Sequence, residues 1–480
     1  MLSLPLRLRW LLRRSRRHRH RRGTRKTNGA KVAADAPLLD PVLLVSGMGG
    51  SILNAKKKSN SKFQLRVWVR IFLANLEFKK YLWSMYNSDT GCVESLDPDV
   101  EIEVPDDDSG LYAIDVLDPS WYNATLYASS LYLHKFVQLL RMSDLYHFHD
   151  MIDMLIECGY EKGTTLFGYG YDFRQSNRLE NTLTGLKAKL ETAYKASGGR
   201  KVTLITHSMG GLLVRCFLAL YSDVLSKYVK KWISIACPFQ GAPGCINDSL
   251  LTGLQFVYGF ESFFFISRWT MHQLLVECPS IYEMLPNPTF NWKRQPVIHV
   301  WQKDSDNGEV LLTEYDATDC SSLFEEALRN NELKYNGKSV PVPFNQLIFK
   351  WSCETRKILD SAQLPDSVSF YNIYGVSLQT PYDVCYGSES SPIGDLSEIC
   401  ERVGEYRYVD GDGTVPSESA MADGFSATGR VGVEACDHRG LLCDERVFEL
   451  LKSWLGVTGK MKVCRPVSSS KVVDVPALPL

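Results

Sequence analysis

The amino-acid sequence predicts an α/β fold built on a mainly parallel sheet. Three observations carry that expectation: short apolar runs bounded by glycine, amphipathic helical stretches between them, and a Ser-Met-Gly-Gly turn where one such strand meets one such helix. Residues 41–46 (PVLLVS) form a run of the kind that is buried on both faces of a sheet, and the run ends in Gly47-Met48-Gly49-Gly50. Around 148–158 the apolar residues Phe148, Met151, Ile152, Leu155 and Ile156 recur at helical spacing, and 164–167 then reads as another strand ending in glycine. A helix is expected over 179–194, with Leu183, Leu186, Leu190 and Tyr194 on one stripe, followed at once by a strand over 201–206. The next helix is expected over 209–221 and the next strand over 232–237. Strand and helix alternating at these intervals imply right-handed crossovers and parallel neighbours.

From Gly241 to about Asp366 the alternation is lost. This segment is rich in aromatics (Phe256, Tyr258, Phe260, Phe263, Phe264, Phe265, Trp269) before it turns polar, and it reads as an excursion above the sheet. The βα rhythm resumes over 368–374 and 406–409 and closes with a helix over about 445–455. The expected organisation is a basic leader (1–36), a first part of the core (37–240) with a lid loop at about 55–95, a cap excursion (241–366), a second part of the core (367–462) and a tail (463–480).

Composition removes several function classes. Among 480 residues, 54 Lys+Arg stand against 55 Asp+Glu, so no overall basic field attracts a polyanion, and nucleic acid is not an expected partner. The best candidate for a membrane span, residues 250–266, is interrupted by Glu261 and by glycines, so no crossing of a bilayer is expected. The thirteen cysteines are odd in number and lack CxxC pairs, and Cys436 and Cys443 flank a histidine without forming a metal-ligand set; reduced thiols in the cytoplasm are expected. Residues 1–34 contain no acid, and Arg7 and Arg9 break the apolar residues that a signal peptide would need. Three readings of this leader stand: an organelle transit peptide, a tail held on an anionic membrane at about 1 kcal/mol per positive residue, or a solvated tail.

The chemistry is concentrated in Thr206-His207-Ser208-Met209-Gly210-Gly211. A serine on a sharp strand-to-helix turn has its hydroxyl lifted above the sheet and tolerates only small neighbours two positions away; Gly210 meets that need better than Thr206 does. The bland alternative is a helix start with Ser208 as its cap. A serine hydroxyl needs a base held by a carboxylate, and in the α/β-hydrolase fold the order along the chain is Ser, acid, His. Of nine histidines, His18 and His20 lie in the leader and His134, His147, His149 and His207 precede the serine. His272 and His299 lie in the excursion, which leaves His438, in a Cys-Asp-His-Arg-Gly loop before the last helix, as the base. The acid is expected in Asp410-Gly-Asp412-Gly-Thr-Val, where either aspartate serves on spacing. Thr414 and Met421 stand where a calcium loop would need ligands, although a plain Asp-Gly turn fits the composition. Acyl chemistry also needs two backbone amides aimed at the developing oxyanion. Met209, after the nucleophile, supplies one, and Met48 in the early glycine loop is assigned the other. A dinucleotide fingerprint fails there, because Ile52 stands where the last glycine belongs. His147-Phe-His149 is read as cap and surface rather than metal ligands. The run Phe263–Phe265 reads equally as core of the excursion or as an acyl-chain pocket or lipid-facing surface.

Along nearly the whole chain these residues resemble the lecithin:cholesterol acyltransferase family. The resemblance rests on VLLVSGMGGS at 42–51, YDFR at 171–174, HSMG at 207–210, APG at 242–244, DGDGTV at 410–415 and His438, and it is closest to the plant phospholipase A1 branch in 167–177 and 263–273. It implies Ser208, Asp412 and His438 as the triad, with Asp412 preferred over Asp410, and the amides of Met48 and Met209 as the oxyanion hole beneath a cap and mobile lid. The implied activity is hydrolysis of the sn-1 acyl ester of phospholipids, with transfer of the acyl group to an alcohol as the alternative and a non-catalytic lipid binder as the distant one. The substrate is then a phospholipid at a peripheral membrane surface, on cytoplasmic endomembrane, and no cofactor or metal is called for. The leader and the stretch from Tyr122 to Phe136, which looks inserted, depart from the pattern.

Overall fold

The expected parallel sheet is present in the computed structural model, which describes residues 39–60, 62–68, 78–117, 147–257, 267–304 and 308–457. Six strands lie in the order Gly429–Glu434, Ser369–Val376, Val229–Ile235, Val202–His207, Val42–Val45 and Leu166–Tyr169, and every neighbouring pair is parallel. Val42–Val45 pairs on both sides, Leu44 lying opposite Ile205 and Gly168. Helices cover such a sheet on both faces, and two of its inner strands, Val42–Val45 and Val202–His207, are buried end to end. That is why Val42–Val45 is apolar throughout rather than alternating.

The helices follow the sequence closely. Glu180–Ala196 buries Leu183, Leu186 and Leu190 as the stripe requires, with Ala193 rather than Tyr194 completing it. His149–Glu157 buries Met151, Ile152 and Leu155, whereas Ile156 turns outward and is exposed. Met209–Leu220 is buried along its first ten residues, and Gln346–Ser361 packs over it. Glu445–Leu455 begins at Asp444, whose carboxylate accepts from the Arg446 amide, and ends at Gly456 in the left-handed conformation.

One strand expectation needs correction, and one strand of the sheet was not expected. Residues 406–409 do not resume the parallel sheet. The strand Glu405–Gly411 pairs antiparallel with Leu378–Tyr386 in a separate four-stranded sheet, ordered Val310–Tyr315, Ile298–Lys303, Leu378–Tyr386, Glu405–Gly411. Most of its residues are exposed or half-buried, as befits an antiparallel strand with a solvated face. The last strand of the parallel sheet is instead Gly429–Glu434, an edge strand whose two glycines and two charges leave little apolar signal. The four-stranded sheet thus draws two strands from the segment expected as the cap and two from the segment after it.

The stretch expected as a lid loop carries regular structure. Leu53–Lys57 pairs with Gln64–Trp68 and with Val100–Glu103, and Ser84–Asn87 forms a hairpin with Cys92–Ser95. The Trp83 indole donates to the Thr270 carbonyl at 3.2 Å, and the Tyr86 amide donates to Glu277 at 2.8 Å, which bonds this hairpin to the 267–283 segment. Among the described residues no single helix is long and apolar enough to cross a membrane. The leader, the inserted-looking stretch from Tyr122 to Phe136, the run Phe263–Phe265 and the tail lie outside the described residues.

Candidate active site

The strand Val202–His207 and the helix Met209–Leu220 leave a single residue between them, and that residue is Ser208. Its backbone sits at φ 54°, ψ −130°, a conformation that costs a non-glycine residue on the order of 1–3 kcal/mol. The surroundings impose it. The Ser208 amide donates to the Ile235 carbonyl at 2.8 Å, its carbonyl accepts from Gly211 at 2.9 Å, and a Cβ on Gly210 would lie 2.4 Å from the Ser46 carbonyl oxygen. Thr206, the less expected residue, is accommodated because its hydroxyl accepts from the buried Trp232 indole at 3.0 Å.

His438 lies in the loop after Gly429–Glu434. Its Nε2 is 2.9 Å from Ser208 Oγ and its Nδ1 is 2.7 Å from Asp412 Oδ2. Asp412 is 2% exposed, and its other oxygen accepts from the Thr414 and Val415 amides at 2.9 and 2.7 Å. The His438 amide donates in turn to the Asp412 carbonyl at 2.9 Å. Asp410 is exposed and holds the Ser377 amide, while Asp412 meets the imidazole. Of the other late histidines, His272 is bonded to Asn331 and His299 sits in the four-stranded sheet.

The early glycine loop lies against this centre. A Cβ on Gly47 would fall 2.8 Å from both the His207 carbonyl oxygen and Ser208 Cβ, and 3.4 Å from the Met209 amide nitrogen, so only glycine allows the approach. Gly50 donates to the Gly47 carbonyl at 3.1 Å, closing a tight turn around Met48. Among the described residues neither the Met48 nor the Met209 amide has a hydrogen-bond acceptor, so both remain available to an oxyanion.

Three residues of this centre were given no role at the site by the sequence. Trp68 donates from its indole to the Gly49 carbonyl at 2.8 Å and lies beneath that glycine. His207 donates to the His438 carbonyl at 2.9 Å. His147, expected as cap or surface, is buried instead, with its ring against Gly50; burial, then the nearby Arg439 and His438, push its pKa down to about 3. Its companion His149 behaves more nearly as expected, half-buried at a helix start and 2.6 Å from Asp115, which raises its pKa. No periodicity marks these roles, since each depends on contacts between distant segments.

A serine, a histidine, a carboxylate and two backbone amides in this arrangement have the chemistry for acyl transfer through a tetrahedral intermediate. The family model of lecithin:cholesterol acyltransferase matches residues 66–424. The chain belongs to the lecithin:cholesterol acyltransferase family. Within reach of that family, it is 62% identical over 451 residues to phospholipase A(1) LCAT3 of Arabidopsis thaliana, covering 93% of this chain and 97% of the relative. It is 50% identical over 426 residues to lecithin-cholesterol acyltransferase-like 4 of the same plant, covering 88% of this chain and 76% of the relative. The solved structure of the Tle4-Tli4 complex aligns with a TM-score of 0.50 at 15% identity, covering 87% of this chain and 98% of that one. That likeness concerns the fold, which is the α/β-hydrolase fold with Ser208 on the strand-to-helix elbow.

Proposed function

We propose that this chain is a phospholipase A1, hydrolysing the sn-1 acyl ester of glycerophospholipids through an acyl-serine intermediate. The observation that carries the reading is the continuous hydrogen-bonded chain from Ser208 Oγ through His438 to Asp412. The substrate class is supported by the 62% identity to a relative named phospholipase A(1). Ser208 attacks the acyl carbonyl while His438 Nε2 takes its proton, and Asp412 keeps the Nδ1–H tautomer in place and stabilises the imidazolium. The Met48 and Met209 amides hold the oxyanion. His438 then returns the proton to the departing glycerol oxygen, and water, activated by the same base, releases the fatty acid.

A second reading has an alcohol replace water in the last step. It is favoured by the family match and by the relative named acyltransferase-like. We also propose peripheral association with cytoplasmic endomembrane; the twelve free cysteines among the described residues fit a reducing compartment.

The test is phosphatidylcholine carrying different labelled acyl chains at sn-1 and sn-2, given to the purified full chain with and without an added alcohol. Release of the sn-1 label as free acid, abolished in Ser208→Ala, is expected. Release from sn-2 alone, or undiminished turnover in Ser208→Ala, would overturn the proposal, and a dominant ester product would select the second reading.

A further inference from the structure

Behind the base, two further imidazoles follow in a row, in tilted and edge-on contact. The ring centroids of His207 and His438 are 4.8 Å apart at 47°, and those of His147 and His207 are 5.3 Å apart at 67°. Only His438 has a place in the acyl chemistry. The other two come from distant segments, His207 from the end of the strand Val202–His207 and His147 from the residue two before the helix His149–Glu157.

The contacts of His207 fix its state. Its Nε2 lies 2.9 Å from the His438 carbonyl oxygen, and a carbonyl can only accept, so Nε2 carries the proton. Its Nδ1 is buried and has no partner among the described residues, so protonation there would bury a donor with nothing to meet it. Burial is the main cause that pushes its pKa well below the ordinary range, and the neighbouring His438, His147 and Arg439 add to it. His207 is therefore a neutral donor.

This hydrogen bond completes the anchoring of the base. The His438 backbone is held at its amide by the Asp412 carbonyl and at its carbonyl by His207, and its two ring nitrogens meet Asp412 and Ser208. His147 backs the arrangement from the other side. A Cβ on Gly50 would lie 2.5 Å from His147 Nε2, so this ring fills the space between the oxyanion loop and His207.

We propose that His207 is a positioning residue for the base, holding the His438 carbonyl through Nε2–H, with His147 as the wedge that keeps His207 and the oxyanion loop in register. The inference rests on the triad reading above. Neither residue touches substrate; each acts through His438 or the glycine loop. Because His207 adjoins the nucleophile and bonds the residue that must deprotonate it, one side chain sets the separation between the two. A small displacement of that kind costs on the order of a hundredfold in rate.

The test uses the full chain with an activated short-chain ester and with phosphatidylcholine vesicles. His207→Phe, which keeps a ring and lacks the donor, should lower kcat about tenfold to a hundredfold on both substrates with KM little changed. His207→Gln, which restores an N–H near Nε2, should recover most of that loss. Wild-type turnover in the Phe variant, or a Gln variant as impaired as the Phe variant, overturns the proposal. If the Phe variant does not fold, nitrogen-15 spectra of the histidine side chains in the wild-type chain decide: a neutral Nε2–H tautomer through pH 5.5 to 8, assigned by its loss in His207→Gln, supports the role, and an Nδ1–H or protonated ring ends it. Ser208→Ala in the same assays separates the two failures. If it retains turnover the triad reading falls, and if it is dead while His207→Phe is unimpaired only this inference does.

Discussion

Replacing Asp412 with asparagine tests the triad most sharply, because the structure gives the substituted amide a defined orientation. One Asp412 oxygen accepts from the Thr414 and Val415 amides at 2.9 and 2.7 Å, and the other meets His438 Nδ1 at 2.7 Å. In Asp412→Asn the carbonyl oxygen keeps the two amide donors, since an NH2 there would face both. The NH2 group is left to point at Nδ1. Nδ1 must then accept, the proton moves to Nε2, and the nitrogen facing Ser208 can no longer take its proton. The fold is preserved, but kcat should fall by about 10⁴-fold, or about 5.5 kcal/mol of barrier. Asp410→Asn is the control, because its exposed carboxylate meets only the Ser377 amide, and activity should stay within about twofold. The assay is steady-state hydrolysis of an activated ester, with circular dichroism and thermal unfolding to show that both variants are folded. A loss of less than tenfold in Asp412→Asn, or a larger loss in Asp410→Asn, would refute the reasoning and move the acid two residues upstream.

Trp68→Phe removes the indole donor to the Gly49 carbonyl and so loosens the turn that carries Met48; kcat on an activated ester should drop about tenfold at constant KM. Glu277, buried and bonded to the Tyr86 amide and Asn345, has its pKa pushed up to about 7 by burial. Folding therefore favours its protonated form, so this contribution to stability is full below about pH 4.5 and is lost as pH rises to about 7; Glu277→Gln should flatten the unfolding midpoint against pH across that window. The acid-free leader should contribute salt-sensitive binding to anionic vesicles, because screening shortens from about 10 Å at 0.1 M salt to about 3 Å at 1 M. In a vesicle-sedimentation assay, deletion of residues 1–36 should leave only salt-insensitive binding, and a truncated chain with unchanged salt response would remove the leader from the account.

What was legible in the sequence was whatever local chemistry forces. Ser208 lies between a buried strand and a buried helix with Gly210 behind it, and that combination reads directly because each part is dictated within six residues. His438 was reached by counting, since histidine is scarce and order along the chain eliminates the others. The choice between Asp410 and Asp412 was closed to residue spacing. Asp410 is still in the strand Glu405–Gly411 with its carboxylate exposed, whereas Asp412 lies just past the strand's end, where the chain turns and brings its carboxylate to the imidazole. The strand Gly429–Glu434 was hidden for a different reason. An edge strand needs little burial, and its Gly-Arg-Val-Gly-Val-Glu sequence has no run to detect. Trp68, His147 and His207 were hidden because long-range contacts alone give them their roles.

The strained positions of the backbone show why the site lies where it does. Four non-glycine residues with positive φ, Ser208 (54°), Ala236 (54°), Ser377 (69°) and Ala435 (51°), each directly follow a strand of the parallel sheet, and those four strands are adjacent. Parallel strands all end on one edge, and each must turn away sharply there for the chain to cross back over a face. The turns serve the chemistry in different ways. Ser208 is itself the proposed nucleophile, the Ser377 amide ties down Asp410 two residues before Asp412, and Ala435 redirects the chain three residues before His438. Glycine would adopt any of these conformations more cheaply but would leave the loops beyond them freer. Small residues with a Cβ hold each turn in one state at a cost on the order of 1–3 kcal/mol, and the buried strands beneath offset it. The proposed triad is therefore assembled from three chain segments that each leave a strand end, Ser208 and His438 after strands of the parallel sheet and Asp412 after Glu405–Gly411 of the four-stranded sheet, and its precision comes from those strand ends more than from the loops that carry its members.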